Sequence, residues 1–454
     1  MMAVTAEGVE MLGWRTLGLG AAAWAGTSAV WAQAPAQAPA VATAAAVAAS
    51  APSFNGGDTA WLLISTVLVL LMTVPGLCLF YSGMLRTKNA LSIVAHTVAA
   101  TAIITLVWAM CGYSLAFTPG NGFIGGTSRL FAEGLVGTGV VAHPSAPTVP
   151  ESAFFMFQLA FATVTFAIIL GATAERMKLG VAVIFAGLWS LLVYSPVAHW
   201  IWHPTGWLAL KGHMDFAGGT VVHVASGASG LAAAWMLGPR RGFGREPMVP
   251  HNLLVTVLGA GLLWAGWFGF NAGSAFEASS RAAGALLATQ VGACAGAMLW
   301  GICEYVHRGQ WSVLGTMTGA IAGLIAITPA SGYVEIPGAL VIGAAGGVAC
   351  FFCVVNFKAR TGIDDTLDVF ALHGVGGLVG TVLTPVFASS RVAPITSTLW
   401  INTMGALVVM AYAAFATWLI LRVMALFGSL RVGAEQERVG LDVAEHGEML
   451  SPEA

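Results

Sequence analysis

Long apolar blocks recur along the chain from Trp61 to Phe427 and are separated by short polar segments. Each block has roughly 18 to 25 residues, enough to cross about 30 Å of hydrocarbon as an α-helix. The blocks show no alternation of polar and apolar positions and carry Gly and Ala at helix-packing spacing, which disfavours a β-barrel. The pattern therefore predicts an all-α polytopic membrane protein.

The blocks divide into eleven predicted transmembrane helices within a domain over residues 58–428. They begin at approximately residues 58, 90, 151, 178, 217, 251, 282, 312, 335, 367 and 396. An odd number of spans places the two ends of this domain on opposite sides of the membrane.

The N-terminal segment differs from the rest and is predicted to be a signal peptide over residues 1–32. Arg15 precedes an apolar run over residues 17–25, and the small residue Ala32 ends a plausible cleavage site. Residues 33–57 are rich in Ala and Pro and are predicted to be a periplasmic spacer. We therefore expect a protein of the bacterial inner membrane.

The distribution of basic residues gives an independent prediction of orientation. Of 18 Lys and Arg residues, thirteen fall in loops on one side and one, Arg15, in the predicted signal peptide. The other side holds only four: Arg129, Lys211, Arg281 and Arg391. Because basic residues accumulate in cytoplasmic loops, the N-terminus is predicted outside and residues 429–454 form a cytoplasmic tail.

Composition excludes several classes of function. Hydrophobic residues make up 57% and charged residues 8% of the chain, and the net charge is −2, so no basic surface for nucleic acid is expected. Six cysteines lie in or beside apolar segments and are interpreted as small buried hydrophobic residues, the Cys350-x-x-Cys353 pair included. No set of nucleophile, base and oxyanion donor is discernible, so an enzyme is not expected.

Two similar segments lie five predicted helices apart. Residues 215–223 begin with Asp215 and end with His223, and residues 368–373 begin with Asp368 and end with His373. Copies separated by five spans enter the membrane from opposite sides, which predicts an inverted five-plus-five repeat with the substrate path between its halves.

Ionisable residues inside spans are costly and are functional candidates. Repeat symmetry would bring His223 and His373 together near a pore axis, where two imidazoles can share a proton and stay neutral. The alternative is two unrelated core histidines. Two His without Cys or carboxylate partners are too few for zinc, and no cofactor is expected. Asp215 and Asp368 are expected to cap the N-termini of their helices.

Aromatic residues cluster near the outer ends of predicted helices three, four and six. The cluster consists of Phe157, Phe161, Trp202, Trp267, Phe268 and Phe270, followed by Asn271 to Ser274. Aromatic faces attract a cation, and the Ser274 hydroxyl could accept a hydrogen bond from it. An interfacial aromatic belt, common to membrane proteins, is the alternative.

Several ordered motifs resemble the ammonium transporter and Rhesus superfamily, bacterial type, from Asp58 to Glu448. They are residues 75–83 (PGLCLFYSG), 171–176 (GATAER), 215–223 (DFAGGTVVH), 266–274 (GWFGFNAGS) and 368–374 (DVFALHG). The resemblance implies a vestibule that binds ammonium or methylammonium, a gate of two phenylalanines and a pore with two histidines.

By the same resemblance, individual residues acquire expected roles. Trp202, Phe161 and Ser274 match the cation vestibule, Phe161 and Phe270 the gate, and Asp215 an essential aspartate. His223 and His373 match the pore histidines, and we count Trp267 with the pore-lining residues. His203-Pro204 departs from the glycine-rich turn expected after Trp202.

The resemblance also implies a homotrimer with one pore per subunit, and a tail over residues 435–442 that couples to PII-type signal proteins. We therefore expect channel-like ammonium transport in which ammonium loses a proton near the gate. Two alternatives stay open: a membrane ammonium sensor, for which the 26 or so residues after Phe427 leave little room for a signalling domain, and a Rhesus-like channel with a wider gas range.

Overall fold

The computed structural model describes residues 54–450, so the predicted signal peptide and residues 33–53 of the spacer lie outside the described part. The regular elements of the described part are helices, with only isolated β-bridges between loops. The longer ones are α1 (Gly56–Met84), α2 (Thr87–Phe117), α3 (Glu151–Thr173), α4 (Leu179–Leu210), α5 (Gly219–Leu237), α6 (Leu253–Gly273), α7 (Ser280–Arg308), α8 (Val313–Ile327), α9 (Ile336–Thr361), α10 (Phe370–Phe387) and α11 (Leu399–Met424). Two short helices follow, α12 (Ala434–Val439) and α13 (Leu441–His446).

These helices confirm the all-α class predicted from hydropathy. Ten of those described are long and apolar enough to cross a membrane, and the shorter apolar α8 is the eleventh predicted segment. The starts of α1 to α11 differ from the predicted starts by at most three residues. The number of membrane crossings and the sidedness of the termini stay predictions.

Short polar residues cap several of these helices where the apolar runs begin. The side chain of Asn55 accepts hydrogen bonds from two backbone N–H groups of the first turn of α1. Asn252, Ser279, Ser312 and Thr398 do the same for one N–H group each at α6, α7, α8 and α11. Because such caps satisfy backbone donors that have no partner inside the helix, they define where each helix starts.

Helix α3 lies in the middle of the bundle. In its most apolar stretch, 94% of the residues are buried within the chain, compared with 39% for α2 and for α11. A helix that is apolar on all sides and buried by protein has no face left for lipid. Side chains on α3 therefore face the interior of the protein, where a path through it would lie.

Helices α5 and α10 approach each other closely because glycine replaces larger residues at the contact. A Cβ atom on Gly227 would collide with the backbone of Gly374, and one on Gly377 would collide with the backbone of Gly219 and the side chain of His223. The absence of side chains lets the two backbones touch. Glycine at these positions therefore allows the close packing of α5 against α10.

The segment after α11 folds back onto the loops at one end of the bundle. The Asp442 carboxylate accepts the N–H groups of Leu91 and Ser92 near the start of α2, at 3.0 and 2.7 Å. Arg431 forms an ion pair with Glu437 at 2.7 Å. We call this end of the bundle the tail end and the opposite end the vestibule end.

Candidate functional site

Two histidines from different helices meet in the interior of the bundle. His223 of α5 and His373 of α10 are both buried, and their Nδ1 atoms are 3.1 Å apart. A hydrogen bond between two ring nitrogens needs a donor on one ring and an acceptor on the other, so the pair can share one proton while staying neutral. The predicted meeting of the two histidines is confirmed.

The histidines also occupy equivalent local structures. His223 lies in a π-helical stretch, Gly219–Val224, and His373 lies in another, Phe370–Gly374. Single π-turns are rare and concentrate at functional sites, since they shift side chains out of the regular helical positions. The equivalent placement supports the interpretation that α5 and α10 are corresponding elements of a repeat.

Asp215 anchors the start of α5. Its two carboxylate oxygens accept four backbone N–H groups, from Gly218, Gly219, Thr220 and Val221, at 2.7 to 3.0 Å. Burial raises the pKa of the Asp215 carboxyl, and the four N–H donors oppose this shift because they stabilise the charged form. The expected capping role of Asp215 is confirmed.

A glycine makes this cap possible. Gly218 has φ of 109°, a conformation that residues with a side chain rarely adopt, and a Cβ there would also collide with Val222. The turn at Gly218 points successive N–H groups toward the Asp215 carboxylate.

The residue equivalent to Asp215 in the second half is Asp365 and not Asp368. Asp215 precedes His223 by eight residues, and Asp365 precedes His373 by eight residues. Asp365 is buried and accepts the N–H of Phe370 at 2.7 Å, as a helix cap does. Asp368 instead pairs with Lys358 at 3.0 Å. The expected capping role of Asp368 is therefore wrong, because its carboxylate pairs with Lys358 of α9 and, among the described residues, accepts no backbone N–H group of α10.

The aromatic residues at the vestibule end enclose a cavity of about 60 Å³. Trp202, Phe161 and Ser274 line it together, as the resemblance implied they would. Trp202 is held in place by a hydrogen bond from its Nε1 to the backbone oxygen of Asp215 at 3.0 Å, and it packs edge-on against Phe161. The Ser274 hydroxyl donates to the Phe270 carbonyl at 2.8 Å, which leaves its lone pairs available as acceptors.

Two stacked phenylalanine rings separate this cavity from the histidines. The ring centroids of Phe161 and Phe270 lie 4.1 Å apart with an angle of 19° between the planes. Both side chains are buried, with exposed fractions of 1% and 0%. In this conformation the two rings block the path from the vestibule cavity to the histidines. A solute can pass only if the rings move.

A narrow and mostly apolar cavity lies beyond the rings. It has a volume of about 20 Å³, and His223, His373, Trp267 and Phe270 contribute to its wall. Trp267 stacks near His223, with 5.5 Å between ring centroids, and its Nε1 donates to Thr328 at 2.8 Å. A cavity of this size and character accommodates a molecule as small as water or ammonia, and it offers little stabilisation to an ion.

The tail end opens into a much larger cavity of about 570 Å³. Phe80 and Leu372 line both this cavity and the histidine cavity, so the two adjoin. Charged residues also line the large cavity, namely Arg240, Glu246, Glu304, Arg308, Lys358 and Asp368. The three cavities follow one another from the vestibule end through the histidine pair to the tail end.

His203, where the sequence departs from the expected glycine-rich turn, stays within the wall of the protein. Its ring stacks on His199, with 4.6 Å between centroids, and it packs edge-on against His143. Its Nδ1 accepts the N–H of Thr205 at 3.2 Å. His203 therefore completes a packed layer next to Trp202 and is not among the residues that line the vestibule cavity.

Sequence reasoning missed three residues of this region. Thr328, the partner of Trp267, belongs to a segment with no distinguishing pattern. Asp365 was detectable from the eight-residue spacing between acid and histidine that it shares with Asp215. Gln158, which lines the vestibule cavity, was detectable as an amide within the otherwise apolar run of α3.

The fold and the site together define a multi-pass membrane protein with a closed, histidine-containing path through one helical bundle. Residues 60–450 match the model of the Ammonium Transporter Family. The chain belongs to this family, whose members are transporters, and the expectation of a transporter in place of an enzyme is confirmed.

Named relatives agree with this assignment. The chain is 43% identical to the ammonium transporter of Bacillus subtilis over 401 residues, which cover 86% of this chain and 98% of the relative. It resembles the crystal structure of Candida albicans Mep2 with a TM-score of 0.79 and 36% identity, covering 88% of this chain and 93% of Mep2. A structure titled Sensor Amt Protein also matches, with a TM-score of 0.79 and 31% identity, covering 86% and 98% of the two chains.

Proposed function

We propose that this protein moves ammonium across the bacterial inner membrane by recruiting the cation at the aromatic vestibule, removing a proton and passing neutral ammonia along the histidines. The observation that carries the proposal is the order of the three cavities, in which the stacked phenylalanines separate a cation-binding chamber from an apolar one. Family membership supports ammonium as the substrate, with methylammonium as its close analogue.

Recruitment rests on the faces of Trp202 and Phe161 and on the acceptor lone pairs of Ser274. A cation near an aromatic face gains about 0.5 to 2 kcal/mol, and more as it loses water. Potassium would gain a similar attraction, so the vestibule alone does not account for selectivity. Discrimination has to arise further along the path.

Deprotonation supplies that discrimination. The histidine cavity holds no ring of carbonyl or carboxylate oxygens in the part of the chain described, and an intact ion would lose its hydration there at a cost of many kcal/mol. Ammonium can transfer one proton to water on the vestibule side of the stacked rings and cross as ammonia, whereas potassium has no neutral form. The paired imidazoles of His223 and His373 can then offer the passing ammonia both a donor and an acceptor.

The test is ion-evoked current from purified protein reconstituted in liposomes. Wild type is expected to respond to ammonium and methylammonium and not to potassium. His223→Asp and His373→Glu introduce a carboxylate into the cavity, and we expect these variants to admit potassium. If wild type and both variants all conduct potassium, and do so equally well, the deprotonation model is abandoned.

Several properties of the assembly are proposed with this function. We propose a homotrimer, a tail that couples to a PII-type partner at the cytoplasmic face, and removal of residues 1–32. The docking of Asp442 and Arg431 at the tail end supports a tail with a defined position on the loops. Because one solved relative is named a sensor Amt protein, the current recordings also separate transport from binding without flux.

A further inference from the structure

We propose that Asn402 of α11 is a positioning residue for Asp215. Its side-chain amide holds the backbone of Met214 and thereby fixes the carboxylate that caps α5. Asn402 is not among the residues that line the vestibule cavity or the histidine cavity, so we place its effect in the position of Asp215 and not in contact with the substrate. The inference rests on the proposed function only where transport is measured.

The Asn402 side chain binds both backbone polar groups of Met214. Its Oδ1 accepts the Met214 N–H at 3.0 Å, and its Nδ2 donates to the Met214 carbonyl at 3.0 Å. Both residues are fully buried. Because two opposed hydrogen bonds define distance and orientation together, they fix the backbone of Met214 relative to α11.

The remaining hydrogen of the Asn402 amide reaches a carbonyl of α10. Nδ2 also donates to the Thr381 carbonyl, at 2.9 Å. In a regular α-helix this carbonyl accepts the N–H group four residues later, but that residue is Pro385, which has no N–H group. Asn402 therefore supplies the donor that the proline lacks, and both N–H hydrogens of its amide are used.

Helix α11 touches the same segment again one turn later. A Cβ atom on Gly405 would lie 2.5 Å from Nδ1 of His213, so glycine allows the backbone of α11 to lie directly against this ring. The two residues that precede Asp215 are thus both in contact with α11.

The position of Met214 matters because Asp215 follows it directly. Four N–H groups of residues 218–221 converge on the Asp215 carboxylate at 2.7 to 3.0 Å. Hydrogen bonds weaken steeply as their distances and angles depart from the optimum. A shift of Met214 therefore loosens the cap of α5 although the carboxylate itself is still present.

The experiment compares full-length purified wild type with Asn402→Ala and Asn402→Asp. Asp keeps the volume of the side chain and an acceptor for the Met214 N–H, but it has no N–H donor for the two carbonyl oxygens. Thr417, further along α11, is equally buried and accepts a hydrogen bond from Trp189 of α4 at 3.1 Å, so Thr417→Val is the matched control.

Three quantities are measured on each protein. Hydrogen–deuterium exchange in detergent reports on the backbone N–H groups of residues 218–221, which are the donors to Asp215. The thermal unfolding midpoint reports on stability. Initial ammonium uptake into proteoliposomes, divided by the amount of folded protein, gives the maximal rate.

We expect Asn402→Ala to exchange these N–H groups about tenfold faster and to lower the maximal uptake rate about tenfold, because the hydrogen bonds that hold Met214 are lost. More ammonium should not restore the rate. Asn402→Asp should lie between wild type and Asn402→Ala. Thr417→Val should lower the unfolding midpoint and leave the exchange at residues 218–221 and the maximal rate unchanged.

Pro385→Ala separates positioning from stability. Combined with Asn402→Ala, it returns an N–H partner to the Thr381 carbonyl while Met214 stays unheld. The double variant should therefore recover part of the unfolding midpoint and none of the uptake rate. If Asn402→Ala alone does not fold, the double variant and Asn402→Asp are measured in its place.

Unchanged exchange at residues 218–221 in the folded Asn402 variants would overturn the inference. So would an uptake rate that recovers together with stability in the double variant, or the same loss of rate in Thr417→Val. A wild type without ammonium uptake would remove the proposed transport, and the exchange of residues 218–221 would still decide the role of Asn402.

Discussion

The segments that lead to the two histidines have the same frame and different surroundings. In both, an aspartate precedes the histidine by eight residues and caps a π-helical turn. Asp215 accepts four backbone N–H groups and supports an aromatic chamber through the bond from Trp202. Asp365 accepts the Phe370 N–H and leaves its Oδ1 without a partner among the described residues.

The cavities at the two ends of the bundle also differ, in size and in the residues that line them. The vestibule cavity, about 60 Å³, is small and aromatic, and the tail-end cavity, about 570 Å³, is wide and lined by charged groups. Asp364, the residue before Asp365, forms a buried ion pair with Arg240 at 2.8 Å. The comparison teaches that the same backbone arrangement supports a small aromatic chamber at one end and a wide chamber lined by charged residues at the other.

The prediction with the largest consequence for this comparison is which side of the membrane each end of the bundle faces. Reporter fusions after Leu430 are expected to report a cytoplasmic location, and fusions in the loop over residues 118–150 a periplasmic one, because basic residues concentrate at the tail end. If the reporter after Leu430 lies outside, the aromatic chamber faces the cytoplasm and the proposed direction of recruitment is reversed.

The next largest effect is expected from removing the two aspartates in parallel. Asp215→Ala should abolish transport even at saturating ammonium, because four backbone donors lose their acceptor and the start of α5 is no longer held. Asp365→Ala should reduce transport by no more than about tenfold, since a single capping bond is lost. Asp215→Glu keeps the charge and should retain part of the activity.

The measurement is initial uptake rate against substrate concentration, after equal amounts of folded protein in the membrane have been verified. Recovery of Asp215→Ala at high ammonium would mean that the residue acts in recruitment only. If Asp215→Ala and Asp365→Ala lose the same fraction of the uptake rate, the four-bond cap at Asp215 is no more important for transport than the single bond at Asp365.

A third prediction concerns His213, which lies beside the contact between α5 and α10. His213 Nε2 is 3.1 Å from Thr220 Oγ1, and Thr220 Oγ1 is 3.2 Å from Thr381 Oγ1 of α10. Burial lowers the pKa of His213 from 6.5 to about 4, so the folded protein keeps this ring neutral at pH values where the unfolded chain binds a proton. The free energy of unfolding is therefore not reduced by His213 above pH 6.5. It decreases as the pH falls from 6.5 toward 4, because the unfolded chain then binds a proton that the folded protein does not.

At pH 5 the loss from His213 is expected to reach about 2 kcal/mol. The measurement is the thermal unfolding midpoint in detergent at pH 7.5 and at pH 5, for wild type and for His213→Gln. The difference between the two pH values should be smaller in the variant. An identical difference in both proteins would show that His213 does not contribute to acid sensitivity.

The smallest effect is expected at the rim of the vestibule. Trp202→Leu should raise the half-saturating ammonium concentration by about twofold to thirtyfold without unfolding the protein, because a rim aromatic contributes about 0.5 to 2 kcal/mol of cation–π attraction. Trp400→Leu is the control, since Trp400 is 74% exposed and is not among the residues that line the cavity. An unchanged half-saturation in Trp202→Leu would show that the vestibule has been placed on the wrong residues.

Local sequence was sufficient for the fold class and for much of the site. Long apolar runs and polar caps define helices that differ in start by at most three residues from those observed, because hydrocarbon-spanning length and unpaired N–H groups are local constraints. The acid-and-histidine segments identified α5 and α10 as partners, since glycine-rich helices of a repeat can approach closely.

Other features depend on contacts between residues far apart in the chain, and only the tertiary structure decided them. The hydrogen bond between His223 and His373 joins positions 150 residues apart, and the stacking of Phe161 on Phe270 joins α3 to α6. Asp368 pairs with Lys358, and Asp365 caps the start of α10. Which donors each carboxylate binds depends on which groups lie near it in the folded protein. Whether a polar side chain such as Asn402 is paired or left free is likewise a property of everything that packs around it, and no local pattern contains that information.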